Sequence, residues 1–343
     1  MTPFLSALAG DDTIADLLSD EAQLHALLAV ERSLAEASAE TGWIGADSAA
    51  AIVQVIDAFS PDWDHLRQGM SRDGVVVPEL VAQLRRRLPE AHREALHKGA
   101  TSQDIIDTAL MLQLGKVLVL IEPRIGDILA RLAMLAGHYG NRPLMAHTRM
   151  QAALPTRWGD KLASWAEPLG RHLAALEAMR GDVLRVQLGG PVGDRSSFGG
   201  FGDTIAASLA HRLGLADAAP WQANRETVVG LGGRLAMLTG TLGKLGADVA
   251  LLAQTEVHAI TLANGGSSSA MAHKSNPVAA ETLVALARFN AGLAGTLQQA
   301  MVHEYERSGA AWTLEWLTLP PMLETTGASL LTTQRLLEQI QIS

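Results

Sequence analysis

Gly265 to Pro277 reads GGSSSAMAHKSNP, and VAAETLVALARF follows it directly from Val278 to Phe289. Two glycines and three serines make a backbone with little side-chain mass. Met271, His273, Lys274 and Asn276 then add an apolar group, two basic groups and an amide before Pro277. The Ala/Leu-rich run has helical spacing. Pro is favoured at the first position of a helix and Asn at the cap before it. The stretch therefore predicts a loop that ends by capping a helix. The free N–H groups of that helix start, with Lys274 alongside, make an anion site. A serine hydroxyl held there can carry a proton. Gly/Ser runs are more often plain linkers, and composition alone favours that reading. The rest of the chain decides between the two.

On both sides of the loop the sequence predicts long helices. One starts at Pro277 and runs to about Tyr305. Another starts near Trp316, holds Pro320 and Pro321 in its first turn, and continues to the end of the sequence. Upstream, Gln222 to Leu262 contains no proline and as one helix would be roughly 60 Å long. Leu154 to Leu184 forms a further stretch, kinked near Pro168. Thr101 to Gly140 forms another, with Pro123 as its kink, Thr101 or Ser102 as its cap and Asp104 in its first turn. A Gly-rich connection, LGGPVGDRSSFGGFGD, and a shorter helix to Leu213 separate the second and third of the five. Their outer stripes, such as LGGRLAMLTGTLGKLGADVALLAQ, are apolar and rich in Gly and Ala. Burial against copies of the same bundle is the expected solution, so a homo-oligomer is predicted.

Residues 1–98 are shorter helical patterns broken by Gly and Pro. LHALLAVERSLAEASAETG ends on Gly42, a helix stop, and Pro78 turns VVVPELVAQLRRRL into a helix start. The expected fold class is all-α: a small N-terminal helical domain (1–98) and a long-helix bundle (99–343) carrying the loop at 264–277. Composition agrees, since 48% of the 343 residues are hydrophobic but only 4% aromatic. The net charge of −9, from 27 basic and 36 acidic residues, argues against nucleic acid as a partner. There is no cysteine, which rules out disulfides, thiolate catalysis and thiolate metal sites. MTPFLSALAGDD does not read as a signal peptide, and no run of 18 apolar residues is present. A cytoplasmic protein that does not span a membrane is expected.

Four short stretches carry the candidate chemistry. HKGATSQD (His97–Asp104) offers the Thr101 and Ser102 hydroxyls and helix-start N–H groups to a carboxylate; an ordinary helix cap is the plainer reading and is compatible with it. AHTRMQAALP (Ala146–Pro155) sets His147, Thr148, Arg149 and Gln151 among apolar residues, as a pocket wall or a solvated loop. QTEVH (Gln254–His258) falls late in the third long helix, where a buried Glu256 would need a cation such as Lys274, or else faces solvent. HEYER (His303–Arg307) lacks the second His of a zinc helix, and no phosphate-cradling glycine motif is present. No metal and no cofactor is expected.

These stretches together resemble the fumarase/aspartase superfamily. GGSSSAMAHKSNP is similar to its signature loop, GSSxMPxKxNP. HKGATSQD resembles its first block in the HxGxTSxD form, and AHTRMQAALP its second. LLAQTEV, HEYER…EWLTLP and PWQANRE (Pro220–Glu226) resemble its 3-carboxy-cis,cis-muconate cycloisomerase branch. The resemblance covers nearly the whole chain. It implies an all-α fold with a five-helix central domain that tetramerises, and active sites that draw one block from each of three subunits. The superfamily's C-terminal helical domain is expected to be missing or truncated here. The implied chemistry is addition across, or elimination to form, a double bond beside a carboxylate. In the cycloisomerases the substrate's own carboxylate closes a lactone, so the enzyme supplies geometry, a proton and positive charge.

The resemblance places the proton-carrying serine at Ser268, six residues before Lys274. It assigns Lys274 and Asn276 to the carboxylate whose charge grows, and Thr101 and Ser102 to another. His97, Arg149, Gln151, Arg225, Ser269, Met271 and Arg307 follow as further substrate contacts. A tricarboxylate or sulfonated muconate is the implied substrate. The superfamily's lyases carry a catalytic His where this chain has Arg149, and an arginine binds carboxylates but does not serve as a general acid at neutral pH. That disfavours an adenylosuccinate- or argininosuccinate-type lyase, whose leaving group needs protonation, and suits ring closure, which has none. His147, two residues away, is the alternative proton carrier. Met271–Ala272 replaces the usual MP, and KSNP the usual KRNP, which leaves 3-sulfomuconate as an alternative substrate. A non-catalytic, crystallin-like protein is the remaining alternative, opposed by the retained Ser268, Lys274 and Asn276.

Overall fold

Side-chain caps start the first helices. Pro3 opens α1 (Pro3–Ala9), and Asp11 accepts from Ile14 N to cap α2 (Asp12–Leu17). Ser19 accepts from Ala22 N to cap α3 (Asp20–Glu40), which stops before Gly42 in the left-handed region (φ 82). α4 (Ala46–Asp57), α5 (Trp63–Asp73) and α6 (Val77–Arg87) follow, with Pro78 in the first turn of α6. The structure is a computed structural model and describes residues 2–263, 265–267, 270–271 and 274–343. Ser268 and Ser269, on which much of the loop reading rests, lie outside the described residues.

The long helices are α7 (Ser102–Tyr139), α8 (Trp158–Val183), α10 (Glu226–Leu252), α11 (Val278–Gln299) and α12 (Gly309–Gln339), with the shorter α9 (Gly202–Leu213) between α8 and α10. Pro123 and Pro168 lie inside α7 and α8, as expected. α7, α10 and α12 run in one direction. Their N-terminal ends meet, since Arg225 bonds Asp107 and Glu315, while Arg131 far along α7 bonds the carbonyl of Leu337 at the end of α12. α8 and α11 return. Arg180 late in α8 pairs with Glu122, and Gly243 of α10 packs so closely on α11 that a Cβ there would lie 2.4 Å from Ala287 Cβ. The five helices form a bundle whose core runs from Met111 through Ile125, Trp165, Leu242 and Leu323 to Leu336. A second core joins α3–α6 and α9 to the first turns of α7 through Leu27, Leu34, Leu80, Ile105, Phe198 and Ile205.

The helical class holds, and two short antiparallel strand pairings, the first a hairpin, add to it. β1 (Pro143–Thr148) pairs with β2 (Gln151–Arg157), and β3 (Ile260–Leu262) with β4 (Ile340–Ile342). The third long stretch is therefore not one helix to Leu262. α10 ends at Leu252, about 40 Å long, because the chain turns to pair with β4. QTEVH forms that turn, and Glu256 is exposed there rather than buried in a helix beside Lys274. α11 ends at Gln299, short of Tyr305. α12 starts earlier than Trp316, capped by Ser308 Oγ accepting from Ala311 N (3.1 Å), so Pro320 and Pro321 are interior rather than first-turn residues. By length and composition α10 could also cross a membrane, but half of its apolar window is buried inside the protein.

Candidate active site

The predicted site residues fall at the two ends of the bundle. At one end, where α7, α10 and α12 begin, lie His97, Thr101, Ser102, Arg225 and Arg307. At the other, where α8 and α11 begin, lie His147, Arg149, Gln151, Met271, Lys274 and Asn276. The 38 residues of α7 separate the two groups by about 57 Å.

The first end is built around the start of α7. Of the two candidate caps, Thr101 is the N-cap and Ser102 is the first helical residue; both are half-buried. Asp104, wholly buried, accepts from Thr101 N (2.9 Å), Gly189 N (2.7 Å), Gly190 N (3.0 Å) and Gln187 Nε2 (3.1 Å). Burial pushes its carboxyl above the usual range against those four donors. It ties the Gly-rich connection to the helix start. Gly99 completes the joint: its φ is +81, and a Cβ would lie 2.8 Å from the Phe198 ring. Ser197 Oγ donates to Gly99 O (2.6 Å).

His97 precedes this turn in the left-handed region (φ 61), and its Nδ1 lies 2.6 Å from Glu31 Oε1. Burial alone would push the imidazole down, but the Glu31 carboxylate outweighs it and holds the group above its ordinary value. Arg307 is exposed at the same end, with Nε on Gln103 Oε1 (3.0 Å) and a guanidinium NH2 on Pro191 O (3.2 Å).

Arg225 is not a substrate contact. Its side chain is 0% exposed and is consumed by two carboxylates. Nε and NH2 donate to Glu315 (2.8 and 2.5 Å), and NH1 and NH2 to Asp107 (2.6 and 3.2 Å). Trp312 Nε1 and Gln103 Nε2 also donate to Asp107 (both 3.0 Å). The arginine locks the N-terminal ends of three helices together. Burial opposes ionisation of Glu315, yet Arg225 and His303, its Nε2 3.7 Å away, hold it below the usual carboxylate range.

At the other end the β1–β2 hairpin carries the second block. Thr148 pairs with Gln151 across a two-residue turn, and both central residues, Arg149 (φ 50) and Met150 (φ 65), have positive φ. That is the pattern of a type I′ turn, normally made by Asn-Gly, and each non-glycine residue there costs of order 1–2 kcal/mol. The turn holds Arg149 out at the hairpin tip, exposed, with Gln151 and His147 exposed beside it. His147 Nδ1 donates to Met145 O (3.1 Å), which leaves Nε2 unprotonated in the neutral ring.

The loop's described residues form a closed neck. Gly266 and Asn276 exchange both backbone hydrogen bonds (2.8 Å each). Asn276 thus belongs to a bridge and not to a helix cap; Pro277 takes the N-cap position of α11, one residue later than expected, with no side-chain cap. Lys274 and Met271 are exposed above the neck, and Lys274 N donates to Met271 O (3.0 Å).

Sequence reasoning missed Glu31, Asp107 and Glu315. Glu31 was open to detection, as a lone acid on the apolar stripe of Leu27, Leu28, Leu34 and Ala35. No described group of three or more acidic or His residues could hold a metal ion.

Comparison with known proteins gives the family and the fold. A family described as lyase matches residues 5–289. The 3-carboxy-cis,cis-muconate cycloisomerase of Acinetobacter baylyi is 33% identical over 355 residues, which take in 100% of this chain and 78% of that protein. The enzyme of the same name from Pseudomonas aeruginosa is 36% identical over 333 residues, 95% of this chain and 72% of that one. The crystal structure of 3-carboxy-cis,cis-muconate lactonizing enzyme from Pseudomonas putida matches with a TM-score of 0.92 at 33% identity, over 98% of this chain and 77% of that one. The chain belongs to this lyase family, within the fumarase/aspartase superfamily.

Proposed function

We propose that the protein is a cycloisomerase that closes 3-carboxy-cis,cis-muconate to its 4-carboxymuconolactone, in the cytoplasm, as a step of aromatic-acid catabolism. A substrate carboxylate oxygen bonds to an alkene carbon, the π pair moves to the carbon α to another carboxylate, and a proton is added there. Ser268 is the proposed proton donor. Lys274 and Asn276 hold the carboxylate on which charge accumulates. The α7 start, through Thr101 and Ser102 with His97 and Arg307, holds a second carboxylate, and Arg149 and Gln151 bind from the hairpin. Ser269 and Met271 complete the loop contacts. His147 is the alternative proton carrier.

The observation that carries this reading is Arg149. The hairpin accepts a strained turn to present it, and it is a permanent cation where the superfamily's eliminating enzymes place a catalytic imidazole. A guanidinium suits a tricarboxylate whose cyclisation releases no leaving group. The two-domain division at residue 98/99 is part of the same proposal.

We further propose that the active species is a homotetramer. Groups about 57 Å apart on one chain meet only if copies of the chain contribute opposite ends. The stripe of Gly230, Gly233, Met237 and Gly240 on α10, exposed but for the half-buried Gly233, supports close helix contact between copies; apart from the helix's own backbone, no atom lies within 4 Å of where those glycines' Cβ atoms would be. The direct test adds the protein to 3-carboxy-cis,cis-muconate and follows loss of the diene's ultraviolet absorbance. No loss with an intact oligomer rejects the reaction. Higher kcat/KM on the 3-sulfo diene, or fumarate from adenylosuccinate, would reassign it.

A further inference from the structure

Glu31 lies mid-way along α3, on the apolar stripe that packs against α7 and α9. Its side chain is 0% exposed, Oε2 has no hydrogen-bond partner among the described residues, and Oε1 lies 2.6 Å from His97 Nδ1. The His97 ring is 15% exposed. A buried carboxylate with one polar neighbour is unfavourable unless the pair as a whole is neutral. Two arrangements satisfy this, carboxylate with imidazolium or carboxylic acid with neutral imidazole. Both carry one proton and no net charge. Loss of that proton would leave the Glu31 charge uncompensated, with only a neutral Nδ1–H donor beside it, so the pair holds the proton to higher pH than a free imidazole does.

The surrounding charges favour placing it on the ring. Asp104 of α7 adds negative charge, and Arg85 of α6 opposes with positive. With Nδ1–H committed to Glu31, Nε2–H remains for a ligand. The left-handed backbone at His97 and Gly99 is what returns the ring to α3 while the chain continues into Thr101.

We propose that Glu31 is a positioning residue that holds His97 as an imidazolium, Nδ1–H toward α3 and Nε2–H offered to a substrate carboxylate at the start of α7. The proposal rests on reading that helix start as a substrate anion site. It adds to the site a cation that titrates, unlike Arg149 and Arg307, and a buried carboxylate that no motif marks.

Histidine-labelled full-length protein, with His97 assigned through His97→Gln, gives the test by ¹⁵N NMR titration without substrate. In the native protein the His97 midpoint is expected above that of the exposed histidines. Glu31→Gln is expected to lower it by about one to two pH units, and Glu31→Asp to restore most of the shift. In turnover, Glu31→Gln is expected to move the alkaline limb of kcat/KM to lower pH by the same amount and to raise KM more than it lowers kcat. A native His97 midpoint at or below that of a free imidazole overturns the proposal, and needs no variant to fold. A lowered midpoint with an unmoved kcat/KM limb overturns the role at the substrate site. The NMR arm reads the pair even if the diene proves not to be the substrate.

Discussion

Replacing Arg225 by Met separates a structural role from a substrate-binding one. Methionine keeps the length and most of the volume of the arginine stem but removes all four charge-assisted bonds to Asp107 and Glu315. Both carboxylates are at most 1% exposed, so water does not replace the lost partner. Breaking one buried pair costs about 3–5 kcal/mol, and here two anions lose their arginine counter-charge, which puts the expected loss at the upper end, about 5 kcal/mol. For a chain of 343 residues the unfolding entropy is about 0.7 kcal/mol/K, so Tm falls by about 7 °C. Arg225→Lys keeps a charge without the planar fork and falls between, with a loss of about 2 kcal/mol and about 3 °C. Differential scanning calorimetry reads both, with KM measured alongside. A Tm unchanged in Arg225→Met, together with a KM raised about tenfold or more, would refute the structural assignment and return Arg225 to the substrate.

Ser268→Ala is expected to abolish turnover, by at least about a thousandfold, while leaving oligomer size and substrate binding near native, as read by steady-state kinetics, light scattering and calorimetric titration. Gly99→Ala forces a left-handed alanine against Phe198 and Ser197 O, and is expected to cost about 2 kcal/mol in urea unfolding and to weaken the proposed anion site beside it. The His97–Glu31 contact makes stability fall on the alkaline side. Because the imidazole is raised in the folded chain, its contribution is complete below about pH 6.5 and is lost as pH rises through the folded value; His97→Gln is expected to flatten that slope in Tm against pH. Glu315, held low by Arg225, acts in the opposite sense, contributing stability above its ordinary value that is lost as pH falls through the folded one.

What the sequence disclosed follows the range of its signals. Helix starts are local, and Thr101 and Pro78 act within a few residues of themselves, so such starts are readable. The hairpin is not, because its turn is Arg149–Met150 rather than Asn-Gly, and the positive φ values are stabilised by the pairing of Leu144 with Thr156 and its neighbours. The end of α10 is equally hidden. Gln254 to Leu262 has no Gly or Pro to stop a helix, and the stop is imposed by Ile340–Ile342, some eighty residues downstream. Arg225 sits in PWQANRE, a polar stretch that reads as exposed. Its burial depends on Asp107 and Glu315, 118 and 90 positions away. Local chemistry therefore named the blocks, and only the tertiary fold showed that Arg225 is a strut.

The separation of the blocks allows a decisive mixing experiment. Arg307→Met damages the end where α12 begins, and Ser268→Ala the end where α11 begins. In a site built within one chain, neither variant repairs the other. If each site takes the first end from one subunit and the loop from another, a random equal mixture pairs an intact α12 start with an intact loop at about a quarter of the sites. Each variant alone is expected to be inactive. After joint unfolding and refolding, the mixture is expected to recover about a quarter of native activity, with KM close to native, because the repaired sites contain no substituted residue. Mixing without subunit exchange is expected to recover nothing, which separates assembly from any bimolecular effect between intact oligomers. A refolded mixture that forms the native-sized oligomer and remains inactive would refute a shared site and require the two ends to act separately.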